Sequence, residues 1–328
     1  MDLKKLILFL LVCLFACERY ESQGEGVVCA DSWDVDFGLA SGSCVVHDDM
    51  LYVLFGREEG GSAEEPSGVW RRAWMGDLSD WDEAELPLAP RVSGTAIVVG
   101  GKLYAGLGFC GRVYQGSPRL RDWWEYDFDS CRWLRLADFP TEDVVSPIVW
   151  NDGDFIYTVF GYNVASSGKI YRYDIKGDRW EIYSEESAPW ARADALSGVV
   201  GDVLYCGGGS SSYMKEDWWC YDWRRNEWKE CCKLPAARVF ASSVTIGSDI
   251  YVLGGRYFGG TETREHFFET IVVYDVEGDE WRTVGRMEQA AENMIAWEYD
   301  GDLYWGLGQR GDGEFVQKIY RKDMRIEN

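Results

Sequence analysis

Histidine is almost missing: the 328 residues hold two, His47 and His266. A zinc site built on a histidine pair is thereby excluded, and neither a Gly-rich phosphate loop nor a nucleophile elbow is present. Nothing in the chain asks for a metal or a cofactor. Positive charge is also scarce, with 33 Lys and Arg against 56 Asp and Glu and a net charge of -23. A phosphate backbone needs a basic face, so the balance argues against nucleic acid as a partner. The apolar run at residues 6–16 is too short to cross a bilayer as a helix. No segment reads as a helix of any length.

Aromatic residues and glycine are plentiful. The chain is 46% hydrophobic and 15% aromatic, with 17 Trp and 37 Gly, ample for a packed core. Much of this recurs in register. Ile250-Tyr251-Val252-Leu253-Gly254-Gly255 is a short apolar strand ending on glycines, and equivalent strands are centred on Tyr52, Tyr104, Tyr157, Tyr205 and Tyr304. A branched aliphatic precedes each Tyr, and a Gly stands at the fourth position after it. The tyrosines lie 52, 53, 48, 46 and 53 residues apart. A period near 50 marks stacked supersecondary units.

Each unit reads as four short strands. In residues 90–140, small and β-branched residues 93–99 turn at Gly100-Gly101-Lys102 into the Tyr104 strand. A longer loop leads to Trp124-Glu125-Tyr126-Asp127, and a fourth strand carries Trp133. Turns rich in Gly, Asp and Pro make this an antiparallel meander. The fourth-strand Trp recurs as Trp81, Trp180, Trp228 and Trp281. The last unit lacks it because the chain ends at Asn328, and Trp33 near the N-terminus is expected to supply the missing outer strand. That closes the ring and leaves no unpaired edge.

The glycine-ended second strand, the Tyr-Asp third strand and the fourth-strand Trp resemble kelch repeats over residues 31–328. The resemblance implies an all-β fold, a six-bladed β-propeller of four-stranded antiparallel blades.

The first residues read as processing signals. Lys4 and Lys5 with the apolar run at 6–16 resemble a signal peptide, and Leu14-Phe15-Ala16-Cys17 resembles a bacterial lipobox. This implies cleavage before Cys17, a lipid on Cys17, a polar tether to about residue 30, and a lipid-anchored place in the cell envelope, periplasmic or on the outer surface. A plain secretory signal is the alternative. An exported chain lives where disulfides persist. Eight cysteines besides Cys17 remain in the mature chain, too many for the connectivity to be read. Cys206 and Cys220, expected on neighbouring strands of one blade, are the most plausible pair.

In such a propeller, the links between blades and the loops from second to third strands share one face, around one mouth of the channel. The links supply Arg91, Glu142, Asp143, Arg192, Asp194, Arg238, Glu292 and Asn293. The loops supply Arg57, Tyr114, Tyr162, Tyr213, Arg256, Tyr257, Phe258, His266, Gln309 and Arg310. Arginines can clamp a carboxylate and aromatics can face a sugar ring, so Arg91, Arg192, Arg238, Arg256 and Tyr257 are the candidate ligand contacts. An Arg at the start of a first strand equally suits bracing between blades. Glu142, Asp194, Glu292 and His266 are the candidate acids and bases.

Two kelch-type families suggest chemistry. Galactose oxidase holds copper with Tyr and His, and this chain lacks the histidines. N-acetylneuraminate epimerase is similar in being an exported six-bladed propeller. Its mutarotation needs a proton donor, an acceptor and an Arg for the sugar carboxylate. Arg91, Arg192 and Arg238 with Glu142, Asp194 or Glu292 fit that demand. A binding module for a glycan or a protein partner, without chemistry, is the first expectation.

Overall fold

The computed structural model describes residues 29, 31–61, 66–110, 119–141, 144–161, 168–185, 189, 191–258 and 265–324. The leader, Cys17 and all of the tether except Cys29 lie outside them. Among the described residues there is no helix, and the strands form six four-stranded antiparallel blades.

Blade 1 runs Ser43–His47, Met50–Leu54, Val69–Trp74 and Asp77–Glu85. Blade 2 runs Thr95–Val99, Lys102–Gly106, Trp123–Asp127 and Arg132–Arg135. Blade 3 comprises Ile148–Asn151, Phe155–Val159, Ile170–Asp174 and Arg179–Ser184. Blade 4 comprises Leu196–Val200, Val203–Gly207, Trp218–Asp222 and Glu227–Cys231. Blade 5 comprises Ser242–Ile246, Asp249–Leu253, Thr270–Asp275 and Glu280–Arg286. Blade 6 takes three strands from the C-terminal end, Ile295–Tyr299, Asp302–Gly306 and Lys318–Lys322. Its outer strand is Asp31–Asp34, with Trp33 opposite Ile319. The ring closes with one mixed blade, and the first strands touch in sequence around the channel from blade 1 back to blade 1.

The second strands are apolar on both faces because a blade is covered on both sides by its neighbours. Leu51, Leu54, Ile156, Leu204, Ile250 and Leu303 are all fully buried. Between blades the contact is aromatic. A third-strand Trp meets the fourth-strand Trp of the next blade edge to face: Trp70 with Trp133, Trp123 with Trp180, Trp218 with Trp281, at 5.9, 5.5 and 5.1 Å. Each such pair adds about 0.5–1.5 kcal/mol beyond the area it buries. Two of these outer tryptophans also clip the neighbouring backbone. Trp180 Nε1 donates to the Ala137 carbonyl at 3.1 Å, and Trp281 Nε1 to the Cys232 carbonyl at 2.9 Å. The repeated fourth-strand Trp is therefore a joint between blades as well as a core plug.

The eight described cysteines are free thiols. The expected Cys206–Cys220 pair is excluded by register. Tyr205 stands opposite Cys220 and Cys206 opposite Trp219, so the two thiols point to opposite faces of the blade.

Candidate functional site

The Gly at the fourth position after each repeat Tyr sets the geometry of the channel mouth. Gly56, Gly108, Gly161, Gly209, Gly255 and Gly308 all have φ between 68° and 104°. A Cβ at Gly209 would lie 2.3 Å from the Ala193 carbonyl, and one at Gly255 would lie 2.5 Å from that of Val239. Only glycine fits there. The residue after each glycine then pairs with the link that leads into a first strand. Arg57 pairs with Ala40, Phe109 with Val92, Ser210 with Ala193, Arg256 with Val239 and Gln309 with Glu292.

The next residue of each link is left-handed in all six blades: Ser41, Ser93, Ser146, Asp194, Phe240 and Asn293, with φ from 51° to 59°. Backbone hydrogen bonds tie five of these positions, from Phe240 through Asn293, Ser41 and Ser93 to Ser146, into an arc. Ser93 N donates to Ser41 O, Ser146 N to Ser93 O, Ser41 N to Asn293 O and Asn293 N to Phe240 O, at 2.8–3.3 Å. Together these residues form the neck of the channel.

Above the neck lies a cavity of about 920 Å³. Its wall repeats with the blades, but its chemistry does not. At the position held by Ala40, Val92, Val145, Ala193 and Val239, blade 6 has Glu292. In the ring of Ser41, Ser93 and Ser146, blade 4 has Asp194. Arg57, Gln309, Glu292, Asn293 and Arg256 gather on the side of blades 5, 6 and 1. Val92, Phe109, Val145 and Ala193 make the facing wall apolar. Tyr213 and Phe258 stand on the rim, 66% and 46% exposed.

The charges are tightly arranged. Arg57 Nη2 donates to Gln309 Oε1 at 2.6 Å. Arg256 pairs with Glu265, and its Nε sits 2.8 Å from Glu292 Oε2 without the alignment of a hydrogen bond. Burial pushes the Glu292 carboxyl up to about 6, against the pull of Arg256 and Arg57, with Glu265 and Asp194 raising it further. Asp194 is also pushed up to about 6. Its carboxyl opens partly onto the cavity but is packed in protein on its other sides, and a hydrogen bond from Ser146 offsets only part of the desolvation. Two carboxyls that change charge near neutral pH thus share one concave site.

Of the residues singled out in the sequence, Asp194, Glu292, Arg256 and Tyr257 come together here. Arg91, Arg192 and Arg238 do not, which corrects their place as ligand contacts. All three are enclosed, at 0%, 2% and 1% exposure. Arg91 clamps Asp122 with both forks and caps the Leu107 carbonyl, while Arg192 does the same with Asp217 and Gly208. They pin the link to its own blade. Arg238 reaches the Gly254 carbonyl at 3.4 Å and stacks on Phe268. His266 sits in a two-residue ladder with Tyr257, exposed beside the cavity and not lining it. Glu142, Asp143, Tyr114 and Tyr162 lie outside the described residues. The residues missed at first, Ser41, Ser93 and Ser146, carried a signal: each falls at a fixed distance from its repeat Tyr. Among the described residues, no cluster of three or more His, Cys, Asp or Glu could hold a metal ion.

Comparison with known proteins agrees with this geometry. Kelch-like protein 25 of Xenopus tropicalis is 25% identical over 234 residues, covering 69% of this chain and 38% of that protein. Kelch-like protein terF of Aspergillus terreus is 24% identical over 240 residues, 68% of this chain and 50% of that protein. N-(sulfonatooxy)prop-2-enimidothioate sulfolyase of Thlaspi arvense is 32% identical over 120 residues, 34% of each chain. This chain therefore matches no more than half the length of these relatives. The solved structure of YjhT superposes with a TM-score of 0.72 at 15% identity, over 86% of this chain and 94% of that one, a likeness of fold. A family model described as the Attractin/LZTR1 beta-propeller matches residues 74–297, from the end of the third strand of blade 1 into the first strand of blade 6. The chain belongs to the Attractin/LZTR1 β-propeller family, built from kelch-type blades.

Proposed function

We propose that the channel mouth binds a sugar. Kelch-type propellers typically serve as binding modules. One observation carries the more specific reading: the six-fold pattern breaks where it faces the cavity, and it breaks toward polar groups. Arg57, Arg256, Gln309, Asn293 and the two carboxyls offer donors and acceptors on one side. An apolar wall and the rim aromatics Tyr213 and Phe258 suit the carbon face of a pyranose. A cavity of about 920 Å³ holds a mono- or disaccharide, whereas a docked protein would favour a flatter surface.

A second reading, mutarotation, has its own support. A carboxyl near 6 can give and take a proton at neutral pH, and ring opening needs one group of each kind. In this reading Asp194 and Glu292 are those groups, and Arg256 on the cavity wall would exchange its contact with Glu265 for the carboxylate of an acidic sugar.

The test is proton NMR of freshly dissolved α-N-acetylneuraminic acid with the purified domain. Saturable line broadening that Arg256→Ala abolishes supports binding. Faster approach to the anomeric equilibrium, slowed by Asp194→Asn or Glu292→Gln, supports mutarotation. Neither effect, with this acid or a panel of neutral sugars, would overturn both and point to a protein partner.

We also propose that the chain is exported and held at the cell envelope by a lipid on Cys17. Incorporation of a labelled fatty acid, lost in Cys17→Ser, checks this.

A further inference from the structure

The outer hairpin of blade 4 carries three thiols: Cys220 on the third strand, Cys231 on the fourth, and Cys232 just beyond it. Cys220 stands directly opposite Lys229, and Cys231 is two residues further along the same strand. Side chains alternate along a strand, so Cys220, Lys229 and Cys231 project from one face, the two thiols as diagonal neighbours. In the resting geometry the Cys231 thiol points to the Lys229 carbonyl, 3.9 Å away, and it lies close enough to Cys220 to stabilise that group's thiolate.

That face is held still by blade 5. Cys231 packs against the cluster containing Trp218, Leu234, Tyr274 and Trp281. Asp279 Oδ1 accepts the Cys232 amide at 2.7 Å, and Trp281 Nε1 donates to the Cys232 carbonyl at 2.9 Å. The groups that face the pair are Lys229 on its own hairpin, Tyr205 on the second strand, and Tyr274 and Asp279 from blade 5.

The pair also differs from the other buried thiols. Burial, the largest cause in each, pushes Cys44 and Cys206 up to about 12, where they are inert near neutral pH. Cys220 is drawn down to about 7, chiefly by the neighbouring Cys231 thiol and further by the cation of Lys229, against the opposing effect of burial. Cys231 moves in the opposite direction because it keeps the shared proton.

We propose that Cys220 and Cys231 form an oxidisable dithiol that exchanges with low-molecular-weight disulfides and closes to a cross-strand disulfide in the outer hairpin of blade 4. The Cys220 thiolate attacks one sulfur of a small disulfide and expels one thiolate. The Cys231 thiol gives its proton to that leaving thiolate. It then attacks the Cys220 sulfur of the mixed disulfide, closing the protein disulfide and expelling the second thiolate, which is protonated by solvent. Two electrons pass from the cysteine pair to the small disulfide, which leaves as two thiols. The step is independent of the channel mouth and of what binds there.

The test equilibrates the folded protein with mixtures of reduced and oxidised glutathione. It then quenches with acid, blocks free thiols and maps tryptic peptides by mass. Trypsin cuts after Arg224, Arg225 and Lys229, between the two cysteines, so a bridge joins separate peptides. A Cys232→Ser chain removes the ambiguity of the adjacent thiol. The expected result is a Cys220–Cys231 link at oxidising ratios, reversed by reduced glutathione. At pH 7, Cys231→Ser should slow alkylation of Cys220 roughly tenfold, through loss of the donor that stabilises its thiolate. Both thiols staying blocked at every ratio, or Cys220 linked to another cysteine, would overturn the proposal.

Discussion

Arg192 closes both forks of its guanidinium on Asp217, Nη1 to Oδ1 and Nη2 to Oδ2, each at 2.7 Å, inside blade 4 where Arg192 is only 2% exposed. Arg91 and Asp122 repeat the clamp in blade 2. Blade 5 keeps the arginine, Arg238, but Thr270 stands at the position of the aspartate. Arg238 Nε has no hydrogen-bond partner, and burial pulls this guanidinium down to about 10. A buried charge with its partner removed is far more costly than a paired one. Thr270→Asp should therefore complete the third clamp and stabilise the domain by about 2 kcal/mol. Asp217→Ala should cost about 3–5 kcal/mol by stranding Arg192. Urea denaturation midpoints of the two variants, expected to move in opposite directions, check both.

The raised carboxyls predict a pH dependence. An unfolded Asp titrates near 4 and folded Asp194 at about 6. Below pH 4 both forms are protonated and there is no penalty. Between 4 and 6 the folded form binds more protons, so its stability falls as pH rises. Above 6 the full penalty of a buried charge remains. Asp194→Asn should thus stabilise the domain on the order of 2 kcal/mol at pH 7.5 and leave it unchanged at pH 4. Paired thermal melts at the two pH values decide it. A gain at neutral pH bought by losing ligand binding would mark Asp194 as a functional group kept at a cost in stability.

Gly255 has φ of 80°, and a Cβ there would meet the Val239 carbonyl at 2.5 Å and the Ala241 Cβ at 2.7 Å. Both neighbours belong to the link that enters the first strand of blade 5, so neither can yield without disturbing the neck. Gly255→Ala should cost about 2 kcal/mol or more. By contrast, Gly247→Ala at the first hairpin of the same blade should cost about 1 kcal/mol, because its φ of 61° is strained for Ala but its Cβ would meet nothing. The difference in melting temperature between the two alanine variants reads out the steric part alone.

Trp33 stacks on Tyr304 at 6.3 Å, and Asp31 pairs with Arg321 at 2.8 Å. These contacts seat the N-terminal strand as the outer strand of blade 6. Removing residues 31–34 should bare the Lys318–Lys322 edge. Faster hydrogen exchange across residues 318–322, together with concentration-dependent association, is expected, because an open edge is a template for another strand. An unchanged exchange pattern would mean that blade 6 is complete without its fourth strand.

The sequence by itself determined the number of blades, the order of strands within each and the closure by the N-terminus. Those features depend on local rules: alternation, turn residues, a glycine where φ must be positive, and one Trp per unit at a constant offset. It also held a clue that only hindsight exposes. Asp122 and Asp217 stand four residues before the third-strand Tyr in the two blades whose link arginine is clamped, and Thr270 fills that position in blade 5. Only the tertiary structure decided which mouth residues face the cavity. Strand alternation stops at the left-handed residue that precedes each first strand, so period-two counting cannot carry through it. Whether Arg91 or Arg192 turns inward is settled by a carboxylate 31 or 25 residues further along. For the same reason Cys206 and Cys220 read as a pair in sequence and point apart on the folded blade. Their facing is fixed by the register between strands.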